Sequence, residues 1–276
     1  MLGNLNFSTT SKQLRAFCAL EPYPDRPAAS GNPCLVTRLA EPPAQAPAQS
    51  AIAQCVSWPL AEQRAAVQCW APGGSAILCC GHGLLCCASV WLDDWGQRGT
   101  LVMNGSEVDC HAAEGKVWLG FQPLQPVPCD VPDWCKYFFA AEPIAAATAG
   151  VDNAYLILEW PKGFNLASLA TPQASLSQYT QRALIATCAA DPATATYAET
   201  IQYRYFAPQH GVAEDTATGS AMRVLASYWQ QRGQGQTLTA YQCSAAGGLL
   251  FSRIAEAKVW VGGWTVPMAK ESKNFE

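Results

Sequence analysis

One segment constrains this chain more than any other, because it occurs twice. Cys80-Gly81-His82-Gly83-Leu84-Leu85-Cys86-Cys87-Ala88-Ser89-Val90-Trp91 returns as Thr218-Gly219-Ser220-Ala221-Met222-Arg223-Val224-Leu225-Ala226-Ser227-Tyr228-Trp229. Gly81/Gly219, Ala88/Ala226, Ser89/Ser227 and Trp91/Trp229 coincide without a gap, and each copy follows an aromatic-Ala-Pro tripeptide, Trp70-Ala71-Pro72 or Phe206-Ala207-Pro208. The copies lie half a chain length apart in 276 residues. Such a duplication implies two related lobes, each built around one copy.

Each copy is nearly all apolar or small and long enough for a helix, and a helix apolar all round is one buried on all sides. The spacing predicts helices from Gly81 to Leu92 and from Gly219 to Arg232, the second ended by Gly233. Around them the sequence reads mostly as strands: Leu14–Leu20, Cys34–Val36, Ala65–Trp70, Thr100–Val108, Lys116–Phe121, Ala154–Trp160, Ile201–Phe206, Leu238–Cys243, Leu249–Ile254 and Ala257–Val261. Residues 1–12 read as a loose leader and Glu21–Asn32 as a turn region. Two further helices are expected, at Ser50–Cys55 and at Thr171–Gln181. The four prolines of Gln122–Pro132 mark the linker. The expectation is an α+β protein with lobes at 13–135 and 136–265, each with many strands about one central helix, and a tail at 266–276 that packs back on the first lobe.

Composition removes several function classes. Half of the residues are apolar and the net charge is −4, with no basic run to track phosphates, so nucleic acid is not an expected partner. No apolar run reaches membrane-spanning length, and the first residues lack an apolar signal core, so the expected setting is the cytoplasm, away from membranes. The thirteen cysteines are odd in number and cluster as Cys79-Cys80 and Cys86-Cys87 inside apolar sequence, which suits reduced, buried thiols. Cys79, Cys80, His82, Cys86 and Cys87 match no familiar zinc spacing, so no metal is expected.

The chemistry concentrates at the two helix starts. Gly81-His82-Gly83 and Gly219-Ser220-Ala221 put small residues where free backbone N–H groups and the positive dipole end favour an anion, although ordinary helix caps would look the same. If the lobes face each other, a carboxylate or a developing enolate can be held between them. His82 is built into the first start, and Glu214 and Asp215 precede the second, a pairing suited to removing and returning a proton. Asp215 as a loop-closing carboxylate and His82 as a satisfied core histidine are the plainer alternatives. Cys80 is open to two readings, an activated thiol at a helix N-terminus or an inert buried one. His111 and His210 read as surface residues.

At these residues the sequence resembles the phenazine-biosynthesis PhzF-like family, which shares the diaminopimelate epimerase fold. The marks are Phe17, Gly31-Asn32-Pro33, Trp70-Ala71-Pro72, Leu78-Cys79-Cys80-Gly81-His82-Gly83, Arg204-Tyr205-Phe206-Ala207-Pro208, Glu214-Asp215, Thr218-Gly219-Ser220-Ala221 and Val261-Gly262-Gly263. The resemblance implies two pseudo-symmetric lobes, each a barrel-like sheet curled around a central helix, with the site between them, and a homodimer. It implies a cofactor-free isomerase that moves a proton on a small carboxylate-bearing substrate. His82 and Asp215 carry over as active-site polar residues, and Gly81, Gly83, Gly219 and Ser220 as the groups that hold the ligand. One departure stands out. The family's acid/base glutamate sits in a Ser-Glu-Thr sequence, whereas here Ser57 is followed by Trp58-Pro59, and Glu62 is the nearest carboxylate. Either Glu62 substitutes, or Cys80 or Asp215 does, or the chain is a ligand-binding protein of the same fold that has lost the reaction. Thr218 stands where epimerase relatives carry a second cysteine.

Overall fold

Both copies of the repeat are helices, and each has a sheet wrapped around it. The structure is a computed structural model that describes residues 9–20, 29–77, 79–151 and 154–268. The first half runs β1 (Thr10–Cys18), β2 (Asn32–Arg38), β3 (Ala53–Ala61), β4 (Arg64–Trp70), β5 (Ala76–Ile77), α1 (Gly81–Trp95), β6 (Arg98–Met103), β7 (Ser106–Ala113) and β8 (Lys116–Phe121). Then come β9 (Val127–Cys129), the short α2 (Cys135–Phe138), β10 (Ala145–Ala149), β11 (Tyr155–Glu159), β12 (Ala183–Ala189) and β13 (Ile201–Phe206). The chain continues with α3 (Gly219–Gln231), β14 (Thr237–Gln242), β15 (Gly248–Ala255) and β16 (Lys258–Pro267).

The pairing repeats as the sequence does. β1–β2 is antiparallel, β2–β3 parallel, β3–β4 antiparallel and β4–β6 parallel across α1. β10–β11, β11–β12, β12–β13 and β13–β14 follow the same series across α3. The order β1-β2-β3-β4-β6-β7-β8-β16 returns to β1 and closes an eight-stranded barrel around α1. β16 is shared. Val259–Gly263 pair with β8, Lys258–Gly262 pair with β15, and beyond them Trp264–Pro267 pair with β1. From β15 the sheet runs through β14, β13, β12, β11 and β10 to β9, curling around α3. The end of β16 therefore joins the first half's sheet at β1, and β9, which follows β8, joins the second half's sheet at β10.

Burial explains why the helices sit inside. Leu84, Leu85, Cys86, Cys87, Ala88 and Trp91 of α1 and Met222, Val224, Leu225 and Tyr228 of α3 are buried in one continuous core. The repeated tryptophans are satisfied by matching partners: Trp91 Nε1 donates to Ser57 Oγ on β3 at 3.0 Å, and Trp229 Nε1 donates to Thr187 Oγ1 on β12 at 3.1 Å. A buried indole N–H left without such an acceptor would cost about 1–3 kcal/mol. All thirteen cysteines are free, and all but Cys79, Cys129 and Cys243 are buried. Among the described residues no helix is long and apolar enough to cross a membrane.

Several elements differ from the expectation. Ser50–Cys55 is not a helix. Ala53 begins β3 because Ala53 and Gln54 find ladder partners in Cys34 and Leu35 on one side, and Gln54 finds Trp70 on the other. Thr100–Val108 is two strands, turned by Asn104-Gly105, both at positive φ as a tight hairpin turn requires. Thr171–Gln181 holds only a 3₁₀ turn at Ala174–Gln178, since Leu176 is the sole buried residue of that turn and no apolar stripe supports a longer helix. β10 was not foreseen, and β9 lies within Gln122–Pro132. β1 starts earlier than expected, at Thr10. His111 is half-buried, stacked on Trp118 and hydrogen-bonded to Arg253, not a surface residue. Residues 1–8 of the leader, most of the Glu21–Asn32 turn, Leu78 and residues 269–276 of the tail lie outside the described residues.

Candidate active site

The N-termini of α1 and α3 abut. An ideal Cβ on Gly81 would lie 2.8 Å from Gly219 Cα and 3.0 Å from Ser220 N, so only glycine permits this approach. Phe17 locks the junction from β1. Its φ of 64° falls at a bulge in the pairing with β16, and its ring fills the space where side chains on Gly219 or Gly263 would go. Neither N-cap residue, Cys80 or Thr218, makes a side-chain cap hydrogen bond, which leaves first-turn N–H groups of both helices facing one place.

His82 and Asp215 meet at this junction, linked by a residue the site assignment from sequence did not include. Asn32 Nδ2 donates to Asp215 Oδ1 at 2.8 Å, lies 3.3 Å from His82 Nδ1, and donates to Ala217 O at 3.2 Å. Thr218 Oγ1 donates to Asp215 Oδ2 at 2.6 Å and Thr216 N to Oδ1 at 2.9 Å. Gln242, reaching in from β14, fixes the loop: its Nε2 donates to Asp215 O and to Thr218 Oγ1, while its Oε1 accepts from Thr218 N. Burial raises the Asp215 pKa, against the opposing pull of His82, Thr218 and Asn32. Ser220, buried at the start of α3, hydrogen-bonds the Tyr155 phenol, and burial raises the pKa of that phenol.

Cys80 and His82 form a second pair. Cys80 Sγ is 3.7 Å from His82 Nδ1 and 3.9 Å from Nε2. Hydrogen bonds from the Cys55 and Cys69 thiols, outweighing burial and assisted by His82, hold the Cys80 thiol well below its ordinary range. Burial disfavours the imidazolium of His82, but the charge and hydrogen bond of Cys80 overcome it and raise the pKa to about 10. As a neutral ring His82 can accept from Asn32 at Nδ1; as an imidazolium it turns a proton toward sulfur.

The structure thus brings Gly81, His82, Gly83, Asp215, Gly219 and Ser220 together. It does not bring Glu62 to them. Glu62 is exposed in the turn from β3 to β4. Ser57, from which its place was gauged, is fully buried and faces α1. The end of β3 nearest the helix starts carries Gln54 and Cys55 instead of a carboxylate. Glu214 is also absent from the junction: Arg204 grips it twice, Nε to Oε1 and Nη2 to Oε2 at 2.7 Å each, which anchors the loop ahead of α3. Asn32 was visible in Gly31-Asn32-Pro33, and Gln242 is a polar residue closing an otherwise half-apolar strand, the only signal that could have pointed to it. A separate surface cavity of about 990 Å³, lined in part by Tyr197, Glu199, Phe251 and Trp264, lies away from this chemistry.

A family model for phenazine biosynthesis-like proteins, PhzC-PhzF, matches residues 134–270. The human phenazine biosynthesis-like domain-containing protein is 31% identical over 195 residues, 66% of this chain and 67% of that protein. The chain belongs to the PhzF-like family. Its fold agrees: a PhzF family protein from Enterococcus faecalis superposes with a TM-score of 0.78 at 22% identity, over 94% of this chain and 96% of that one. A hydroxyproline epimerase from Agrobacterium vitis, solved with bound trans-4-hydroxy-L-proline, has a TM-score of 0.57 at 11% identity, over 94% and 91% of the two chains. The PhzF-like chain therefore shares its fold with that hydroxyproline epimerase.

Proposed function

We propose that this PhzF-like protein is a cofactor-independent isomerase that moves a proton on a small carboxylate-bearing substrate held between its two helix starts. The carrying observation is the contact of Gly81 with Gly219 beside a His82–Asn32–Asp215 chain. In this reading the backbone N–H groups at Gly81, Gly83, Gly219 and Ser220 receive the substrate carboxylate and the enolate-like charge that develops as the carbon-bound proton leaves. Asp215 as carboxylate takes that proton, and His82 as imidazolium supplies one to the acceptor atom. The proton on Asp215 then returns to His82 through solvent or product, which restores both groups. Asn32 holds Asp215 in place by donating to its Oδ1, and Cys80 sets the charge of His82. The His82 ring accepts from Asn32 at Nδ1 only once it has given up its proton. Glu62, exposed and remote, has no part in this scheme. The resemblance to a hydroxyproline epimerase supports cyclic or acyclic α-substituted carboxylates as the substrate class.

Incubation of such carboxylates in deuterated water, followed by proton NMR, tests the assignment. Wild-type protein is expected to exchange the carbon-bound proton, and Asp215→Asn and His82→Ala each to slow exchange by about 10²–10⁴-fold. Exchange that neither substitution changes would sink it. A second reading, a carboxylate-binding protein without the reaction, is favoured by one observation: no carboxylate stands on β3 near the helix starts, and Glu62 faces solvent. Saturable binding of the carboxylate with no exchange in the wild type selects that reading.

A further inference from the structure

Cys55 on β3 and Cys69 on β4 are direct partners in an antiparallel ladder, between the pairs Gln54–Trp70 and Val56–Gln68. Residues so placed have Cα atoms about 4.5–5.5 Å apart, inside the roughly 4.4–6.8 Å that a disulfide spans. Both side chains are buried in the barrel, and their sulfurs touch at 2.6 Å. Cys34, whose thiol is 3.6 Å from Cys55 Sγ, is not so placed: on the parallel β2 it is Val36 that stands opposite Cys55. The pair lies against the start of α1, where Cys80 is the N-cap. Cys55 and Cys69 hydrogen-bond to Cys80, and these bonds are what hold the Cys80 thiol well below its ordinary range. Burial pushes the Cys55 and Cys69 thiols above it.

We propose that Cys55 and Cys69 are an oxidation site at which hydrogen peroxide makes a disulfide, and that this disulfide switches off the helix junction by removing both thiol donors to Cys80. The three thiols have unequal parts. Cys80, held as thiolate, is the nucleophile. Its sulfur attacks one peroxide oxygen, the O–O bond breaks, and hydroxide leaves a sulfenic acid behind. The Cys69 thiol attacks that sulfur, and its proton leaves with the sulfenic hydroxyl as water. Cys55 then attacks the Cys69 sulfur and gives its proton to the hydroxide. Cys80 departs as thiolate, since the thiol of lower pKa leaves faster. Two thiols and one hydrogen peroxide thus become one disulfide and two waters, with the two electrons passing from sulfur to oxygen. Once bonded, neither sulfur has a proton to donate, and burial drives Cys80 to take one up. The burial that disfavours the imidazolium of His82 is then no longer opposed by the charge of Cys80. The loss of turnover rests on the isomerase reading; the disulfide and its effect on Cys80 do not.

The reduced full-length chain is treated with hydrogen peroxide at one equivalent, the remaining thiols are capped with iodoacetamide, and cross-linked peptides are sequenced by tandem mass spectrometry. Two of the thirteen thiols should be lost, the cross-link should join Cys55 to Cys69, and dithiothreitol should restore both. The ultraviolet absorbance of the Cys80 thiolate should fall as the cross-link forms and return on reduction. Cys80→Ala should slow cross-linking by at least about 10-fold, because the thiolate is the attacking species. A final cross-link to Cys34 or Cys80, a sulfinic acid on Cys80 with Cys55 and Cys69 still free, or no loss of thiols would overturn the proposal. So would a cross-linked chain whose thiolate absorbance is unchanged. Circular dichroism reports whether Cys80→Ala folds; should it not, the wild-type peptide map and absorbance decide alone. Proton exchange separates this proposal from the reading beneath it. Exchange that survives cross-linking overturns the switch, whereas a reduced chain that never exchanges sinks the isomerase reading and leaves the map and the absorbance to judge the disulfide.

Discussion

Asp215 occupies a place where its charge costs stability. Burial raises its folded-state pKa above the ordinary 3.8, and the help of His82, Thr218 and Asn32 does not fully offset this. The folded chain therefore holds the proton more tightly than the unfolded one. The group's contribution is fully present below the unfolded value and is lost as pH rises through the window between 3.8 and the raised folded value. Above the unfolded value the buried side chain is therefore a net destabiliser. Asp215→Asn is accordingly expected to be more stable than the wild type near pH 7 while losing proton exchange, with the difference shrinking to nothing as the pH falls below 3.8. Thermal unfolding across that range checks it; a variant less stable at neutral pH would mean that the hydrogen bonds outweigh the burial. Asp215 and His82 were legible because they adjoin the repeat. Asn32 reaches Asp215 across 183 positions and from the other half of the chain, and Gln242 reaches it across 27 within the same half, so both contacts exist only in the folded chain. Glu62 was misplaced because nearness along a strand says nothing of facing: Ser57 points into the barrel, and the hairpin carries Glu62 out to solvent.

The two central helices were the most legible elements, for a physical reason. Their small residues serve two purposes, burial on every side and the close approach at Gly81 and Gly219, so the pattern is dense and duplicated. The approach itself gives a sharp expectation. Gly81→Ala meets backbone at 2.8–3.0 Å, which cannot rotate away. It should cost about 1–3 kcal/mol by urea unfolding, as overpacking does. By parting the helix starts it should also lower turnover by as much as about 10²-fold, the effect of a displacement near 1 Å. Gly73→Ala, with nothing within 4 Å of its Cβ, should stay within about 0.5 kcal/mol of the wild type. Equal losses from the two would remove the argument for a required helix contact. The elements that were misread lack such redundancy. Ser50–Cys55 is apolar enough for either structure and is settled by its ladder partners on β2 and β4. The Asn104-Gly105 turn carried a recognisable dipeptide, and there the error was in reading one strand through it.

Duplication and strand exchange together shape the molecule. β16 lies between β8 and β15 and then runs on to β1, and β9, which follows β8, pairs with β10. One core also contains both helices. Neither sheet can be taken apart without breaking pairs in the other, so the two halves should not melt separately even though each carries its own copy of the repeat. Calorimetry is expected to give one transition with calorimetric and van't Hoff enthalpies in agreement, the mark of two-state unfolding. A lesion in the shared strand sharpens the test. Gly262 on β16 faces the Trp118 ring of β8 so closely that an ideal Cβ would sit 2.5–2.8 Å from it. Gly262→Ala should therefore move that single transition to lower temperature as a whole, by about 1–3 kcal/mol of overpacking. If one half instead melted early and left the other at the wild-type temperature, the pairing through β16 would be a contact between independent lobes and not the bond that makes them one folding unit.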